Sequence, residues 1–313
     1  MVGVETVPPE GFISATGEEN KSIKSTWPKK PVFESKLEER EWVKFRLAQA
    51  FRIFGHHKFD AAIAGHITAR DPIKTDCFWV NPFGIHFSLV TPDLLLLVDH
   101  GCNILDESGP IRLLNSAAFM IHSGLHMSRA DILCAAHSHT LFGRAYSALG
   151  RELDMLTQDH CIFYNDHILY TNYQGVVLDE QEGLAIAAQL GPKKAALLQN
   201  HGLLVVSDSI ESAVVNFIAF ERSCEVSLLS LAAAGGDQDK LIKIGEKEAD
   251  AVWRTIGTQN AGWFAGLCEF KYVPSRLNAE CETDLVRIGC WKNVSKEDSE
   301  CGRARSRKLI GDY

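Results

Sequence analysis

The stretch "AAHSHT" at residues 135–140 sets the tightest limit on what this chain can build. It closes the apolar run "DILCAAH" and places His137 and His139 two positions apart. In a strand, side chains two apart leave by the same face, so a strand ending here presents two imidazoles side by side. Two adjacent neutral imidazoles are half of a metal site. Taken alone, the pair also fits histidines satisfied inside a core.

A third histidine stands in "LLQNHGLLV", where an apolar strand breaks at Asn200-His201-Gly202 and the glycine lets the backbone turn sharply. Strand ends are where side chains reach into a cleft. Three imidazoles with an open fourth position describe a catalytic divalent-cation site. Zinc is the common occupant of nitrogen-rich tetrahedral sites, with iron, cobalt and manganese as alternatives.

The rest of the pattern predicts one α/β domain. In "LEEREWVKFRLAQAFRIFGHH", Trp42, Phe45, Ala48, Phe51 and Ile53 or Phe54 recur at helical spacing, and Gly55 is the expected stop. Short strand-like pieces follow in "AAIAGHITAR", "CFWVNPFGIHFSLV" and "LLLLVDHGCNIL". Helices are expected from Asn115 to Arg129, in "LFGRAYSAL", in "EQEGLAIAAQL" capped by Asp179, over residues 210–234, and around "KEADAVWRT". Strands are expected in "CIFYNDHILYT", in "GVVLDE" and on both sides of the Asn-His-Gly break. Alternating short strands and helices define the α/β class.

Residues 1–36 lack an apolar period and read as a flexible leader, residues 37–272 as the domain, and residues 273–313 as a loosely ordered tail. The net charge of −8 across 313 residues gives no reason to expect a nucleic-acid partner. A small-molecule substrate is expected instead. No run approaches a membrane span, and the start lacks the basic and apolar regions of a signal peptide. Nine cysteines without a C-x-x-C pair read as buried thiols in a reducing cytoplasm.

The segment "AFMIHSGLHMSRADILCAAHSHT", followed by "KAALLQNHGLLVV" and preceded by "AGHITAR" and "FWVNPFG", resembles the class II aldolase/adducin family. The resemblance covers roughly residues 37–270. It implies a three-layer α/β/α sandwich around a largely antiparallel sheet. It also implies a homotetramer with active sites at subunit interfaces. The family's sugar-phosphate aldolases hold zinc through three histidines, which match His137, His139 and His201. The metal there polarises substrate oxygens and stabilises the enediolate left when a C–C bond breaks.

Departures from the aldolase pattern narrow the reading. The position matching the aldolases' catalytic glutamate is Ala118, which cannot carry a proton. Their phosphate-binding stretches read Gly65-His66-Ile67-Thr68 and Phe83-Gly84, and of the paired serines only Ser116 remains. A sugar phosphate is therefore a poor fit, and "NSAAFMIHS", "GHITAR" and "NPFG" are similar to the adducin branch.

With the glutamate absent, His122, Asp159 and Tyr164 are the candidates for proton transfer. Arg70, Gly84, Ser116 and Gln158 are the candidates for substrate contact, Arg70 through bidentate binding of a carboxylate. The function expected is a metal-dependent lyase acting on a small unphosphorylated carbonyl or carboxylate compound, by aldol cleavage or a related enolate-forming step. A non-catalytic adducin-like oligomeric module and a non-haem iron oxygenase on the same fold are the alternatives.

Overall fold

Seven strands among the described residues form one sheet, in the spatial order third, second, first, fourth, seventh, sixth and fifth along the chain, which puts the two histidine-bearing strand ends at its middle. The computed structural model describes residues 28–172, 175 and 180–277. The strands are β1 (His66–Arg70), β2 (Cys77–Val80), β3 (Leu96–Asp99), β4 (Cys134–Ser138), β5 (His167–Tyr170), β6 (Ala195–Leu198) and β7 (Gly202–Ser207). All neighbouring pairs are antiparallel except β5 with β6. The helices are α1 (Lys36–His56), α2 (Ser116–Ser128), α3 (Leu141–Ser147), α4 (Glu180–Leu190), α5 (Ile210–Ala233), α6 (Glu246–Val252) and α7 (Gln259–Leu277).

Strand alternation sorts the side chains onto the two faces of the sheet. Ile67, Ala69, Ala136, Leu203 and Val205 face α1 and α5, where Phe51, Phe54, Phe217 and Phe220 are fully buried. On the other face Ala135, Leu204 and Val206 pack under Ile121 and Leu125 of α2 and Ile186 of α4. The result is the expected α/β/α sandwich on a largely antiparallel sheet. Among the described residues, no helix is long and apolar enough to cross a membrane, and six cysteines are free thiols.

Several local expectations need correction. Helix α1 begins where Ser35 accepts the Glu38 amide, as a capping serine should. It runs through Gly55 to His56. Gly55 serves close packing rather than chain reversal, because a Cβ there would lie 2.3 Å from Ser88 Oγ. Only His167–Tyr170 of "CIFYNDHILYT" is strand; Asp159–Phe163 winds into a 3₁₀ turn whose His160 ring bonds to α5 at Ser223 O and Ser227 Oγ, 3.1 and 3.0 Å away. After α6 the chain adopts a π turn, Trp253–Gly257. That turn is anchored by buried Lys194, whose ammonium donates to Gly257 O at 2.5 Å. Helix α7 was not expected from the sequence. The Asp179 cap and most of "GVVLDE" lie outside the described residues, as do residues 1–27 of the leader and the tail beyond Leu277.

Candidate metal centre

His137 is the next-to-last residue of β4, His139 lies just beyond the strand, and His201 occupies the reversal between β6 and β7. Asn200 makes that reversal in the left-handed region, with φ of 57°. Gly202 starts β7 directly against β4; a Cβ there would sit 2.6 Å from Ser138 O. Glycine is thus what lets the Asn-His-Gly turn press His201 toward the β4 end. The three ring centroids are 4.7, 4.7 and 5.1 Å apart, and one nitrogen from each ring falls within 4.8 Å of the others.

His137 is almost fully buried, while His139 and His201 are half-buried. Nδ1 of His137 lies 2.8 Å from Leu203 O, a contact that requires the proton on Nδ1 and leaves the Nε2 lone pair available. Burial, reinforced by its histidine neighbours, holds the His137 pKa well below the ordinary value. Burial also lowers His139, helped by Arg144, and brings His201 down to about 4, helped by His139. All three imidazoles are neutral at pH 7, the state a cation requires.

A second imidazole group adjoins the first. His66 on β1 is the register partner of His137, with ring centroids 5.5 Å apart. His122 packs 4.0 Å beyond His66. Thr68 Oγ1 lies 2.7 Å from His122 Nδ1 and 2.8 Å from His126 Nε2. A hydroxyl has one proton, so it donates to one ring and accepts from the other. His126 stacks on Phe78 at 4.3 Å. Burial pushes His122 well below the ordinary pKa and His126 to about 3.

Of the residues singled out in the sequence, the structure gathers His137, His139 and His201 and places His122 behind them. His122 is fully buried, so it adjoins the centre only through the rings in front of it. Arg70 is at the other end of β1 from His66, and its guanidinium donates to the carbonyls of Ile132, Thr75, His126 and Arg129. It is a brace between β1 and the end of α2, not a carboxylate grip. Gln158 and Asp159 are exposed at the 3₁₀ turn held by α5, and Tyr164 ends that turn half-buried. Gly84 (φ 84°) is exposed in the loop after β2, and Ser116 is the exposed first residue of α2.

The sequence gives His66 and Thr68 only as a departure in the phosphate-binding stretch and leaves His126 unassigned, so their place beside the triad was not expected. Their signal was present: His66 and Thr68 alternate in "HIT", and His122 and His126 are four apart on one helix.

With a seven-stranded sandwich and a histidine triad at its strand ends, the chain belongs to the class II aldolase and adducin N-terminal domain family, whose model matches residues 45–228. It is 40% identical over 234 residues to the 4-hydroxy-3-prenylphenylpyruvate oxygenase/4-hydroxy-3-prenylbenzoate synthase of Streptomyces roseochromogenus subsp. oscitans, covering 74% of this chain and 82% of that one. It is 39% identical over 234 residues to the decarboxylase NovR of Streptomyces niveus, covering 74% and 84%. Among solved structures, it is similar to an L-fuculose 1-phosphate aldolase from Glaciozyma antarctica PI12. That match has a TM-score of 0.71 and 41% identity, and covers 78% of this chain and 93% of that one.

Proposed function

We propose that His137, His139 and His201 hold one divalent cation and that the chain is a metal-dependent lyase, breaking a C–C bond in a small unphosphorylated carbonyl or carboxylate compound. One observation carries this reading: three neutral imidazoles from two strand ends bring a nitrogen each within 4.8 Å. Tetrahedral zinc with Zn–N bonds of about 2.0–2.1 Å needs nitrogens about 3.3 Å apart. Reaching that spacing requires side-chain rotation, for which the half-buried His139 and His201 are the candidates. Zinc suits the donor set best, with iron, cobalt and manganese as the other occupants.

A bound cation supplies Lewis acidity toward a substrate oxygen. The chain's own residues do the rest. The Leu203 carbonyl fixes the His137 tautomer. His66 sits beside the triad, its ring 5.5 Å from that of His137, and His122 backs it; these two imidazoles take over proton transfer where Ala118 offers none. Ser116 and Gly84 stay in the reading as substrate contacts because each follows a residue, Asn115 and Phe83, that lines a small surface depression together with His66. Asp159, Tyr164 and Gln158 enter only if substrate or a neighbouring subunit reaches the 3₁₀ turn. A homotetramer with sites at subunit interfaces would provide such a neighbour, and the free thiols suit a cytoplasmic setting.

Elemental analysis of the purified chain and of His139→Ala tests the reading. One zinc or iron per chain, lost in the variant while the fold persists, supports it. Wild-type protein that stays metal-free after incubation with zinc, cobalt or iron removes it and favours a non-catalytic adducin-like module. A second reading, metal-dependent oxidation, is supported by the oxygenase among the relatives. Iron in the preparation together with substrate-dependent oxygen uptake distinguishes it from a lyase.

A further inference from the structure

Thr68 is fully buried on β1, and among the described residues its hydroxyl has two hydrogen-bond partners, His122 Nδ1 at 2.7 Å and His126 Nε2 at 2.8 Å. Burial keeps both rings neutral, so each has one N–H and one lone pair. The single hydroxyl proton therefore ties the two tautomers together. If it points to His122, the outer nitrogen His122 Nε2 carries a proton and His126 Nδ1 is bare. If it points to His126, the reverse holds. Either way one of these two outer nitrogens is a buried N–H, and neither nitrogen has a hydrogen-bond partner of good geometry.

The surroundings decide between the two arrangements. A buried donor without an acceptor is costly, so the proton belongs on the outer nitrogen that has a carbonyl near it. The backbone of Ile132 draws the His126 pKa upward, against burial and Arg70. The Ile132 amide is already spent on Arg129 O, so this pull comes from the carbonyl, which favours a ring N–H. His122 has no such neighbour: the groups acting on it are the imidazoles of His137 and His126 and the ring of His66, 4.0 Å away.

We infer that Thr68 donates to His126 Nε2 and accepts from His122 Nδ1, which pins His122 as the Nδ1–H tautomer and leaves its Nε2 lone pair bare. Thr68 is thus a positioning residue: it makes His122 a proton acceptor rather than a donor. His66 adjoins both His122 and the triad, with its ring 5.5 Å from that of His137. On the lyase reading, His66 takes a substrate proton on one ring nitrogen and passes the proton from its other nitrogen to His122 Nε2. The reverse transfer returns it to the carbon released by bond cleavage. That use rests on the lyase reading, whereas the tautomers need no metal.

Neutron diffraction from perdeuterated crystals of the full chain, with metal content measured on the same preparation, tests the assignment because it locates the deuterons directly. The expected pattern is a deuteron on His122 Nδ1 and on His126 Nδ1, the Thr68 deuteron directed at His126 Nε2, and none on His122 Nε2. Thr68→Val should move the His122 deuteron to Nε2, and Thr68→Ser should keep the wild-type pattern. If Thr68→Val fails to fold, wild type and Thr68→Ser decide. A deuteron on His122 Nε2 in wild type, or a His122 tautomer unchanged in folded Thr68→Val, would overturn the inference. Protein with the expected pattern that takes up no metal keeps the tautomer assignment and sinks the lyase reading. Protein that takes up metal and carries a deuteron on His122 Nε2 does the reverse.

Discussion

His137 on β4 donates its Nδ1 proton to the carbonyl of Leu203 on β7, 2.8 Å away. A ligand imidazole on one strand is thereby oriented by the backbone of the next. Backbone carbonyls in this role fix both tautomer and ring direction at metal centres. The strand that orients His137 also begins at the turn carrying His201, so one short segment positions two of the three rings.

Gly202 is the most economical place to disturb that segment. In Gly202→Ala the new methyl would sit 2.6 Å from Ser138 O, and the backbone on both sides must give. Overpacking of this kind costs about 1–3 kcal/mol. Because the shift displaces the Leu203 carbonyl and His201 together, metal affinity should fall by about 10–100-fold. Urea denaturation and chelator competition measure the two effects separately.

Glu221 supports the third ligand from the opposite face. Its buried carboxylate accepts from the Thr140 hydroxyl, from the Phe142 amide at 2.9 Å and from the Gly143 amide at 2.7 Å. These groups start α3 directly after His139. Glu221→Ala should cost about 0.5–2 kcal/mol, as loss of a helix cap does, and should weaken metal retention. Glu221→Gln keeps an acceptor and should recover part of both. Equal metal affinity in wild type and both variants would show that this contact does not position His139.

Acid should loosen the histidine-rich layer before it disturbs anything else. His126 has a folded pKa of about 3, set by burial and then by Arg70, against about 6.5 when unfolded. Below pH 6.5 the unfolded chain takes up a proton that the folded chain refuses. Stability is therefore intact above that pH and falls as pH drops toward 3. The loss from this group alone is on the order of 2 kcal/mol by pH 5. Urea midpoints at pH 8 and pH 5, compared between wild type and His126→Leu, check it; the variant should show the shallower pH dependence.

Asp71 predicts a stability effect without a metal effect. It accepts two bonds from Arg40, at 2.7 and 2.8 Å, one from the Trp79 indole at 2.8 Å, and the amides of Ile73 and Lys74. Burial pushes its carboxyl up, but those bonds together pull it below the ordinary range. Its contribution is full above the unfolded value of about 3.9 and disappears as pH falls through the lower folded value. Asp71→Ala strands Arg40 and should cost about 3–5 kcal/mol, with metal content per folded chain unchanged.

What could be read in the sequence follows from the range of the forces involved. The H-x-H and Asn-His-Gly segments reveal their geometry locally, through strand alternation and a turn that only glycine permits so close to Ser138. The helices α1, α2 and α5 follow from apolar period. Arg70 misled because a charged residue beside a site looks the same in sequence whether it meets a ligand or four carbonyls. In the sequence His66 reads only as a departure in the phosphate-binding stretch, because its place at the site comes from pairing with His137, a residue 71 positions away that no local pattern connects to it. The strand expected over Cys161–Phe163 became a 3₁₀ turn because His160 finds its partners on α5.

The central position of β4 also determines when the triad can form. Its neighbours are β1 and β7, each about 65–70 residues away along the chain, so both ladders depend on long loop closures. His137, His139 and His201 meet only after the β4–β7 ladder is in place. A cation held there would tie down distant parts of the chain at once and slow the opening of the whole sheet. Loss of metal should therefore register as a lower global unfolding barrier rather than as fraying at one strand end.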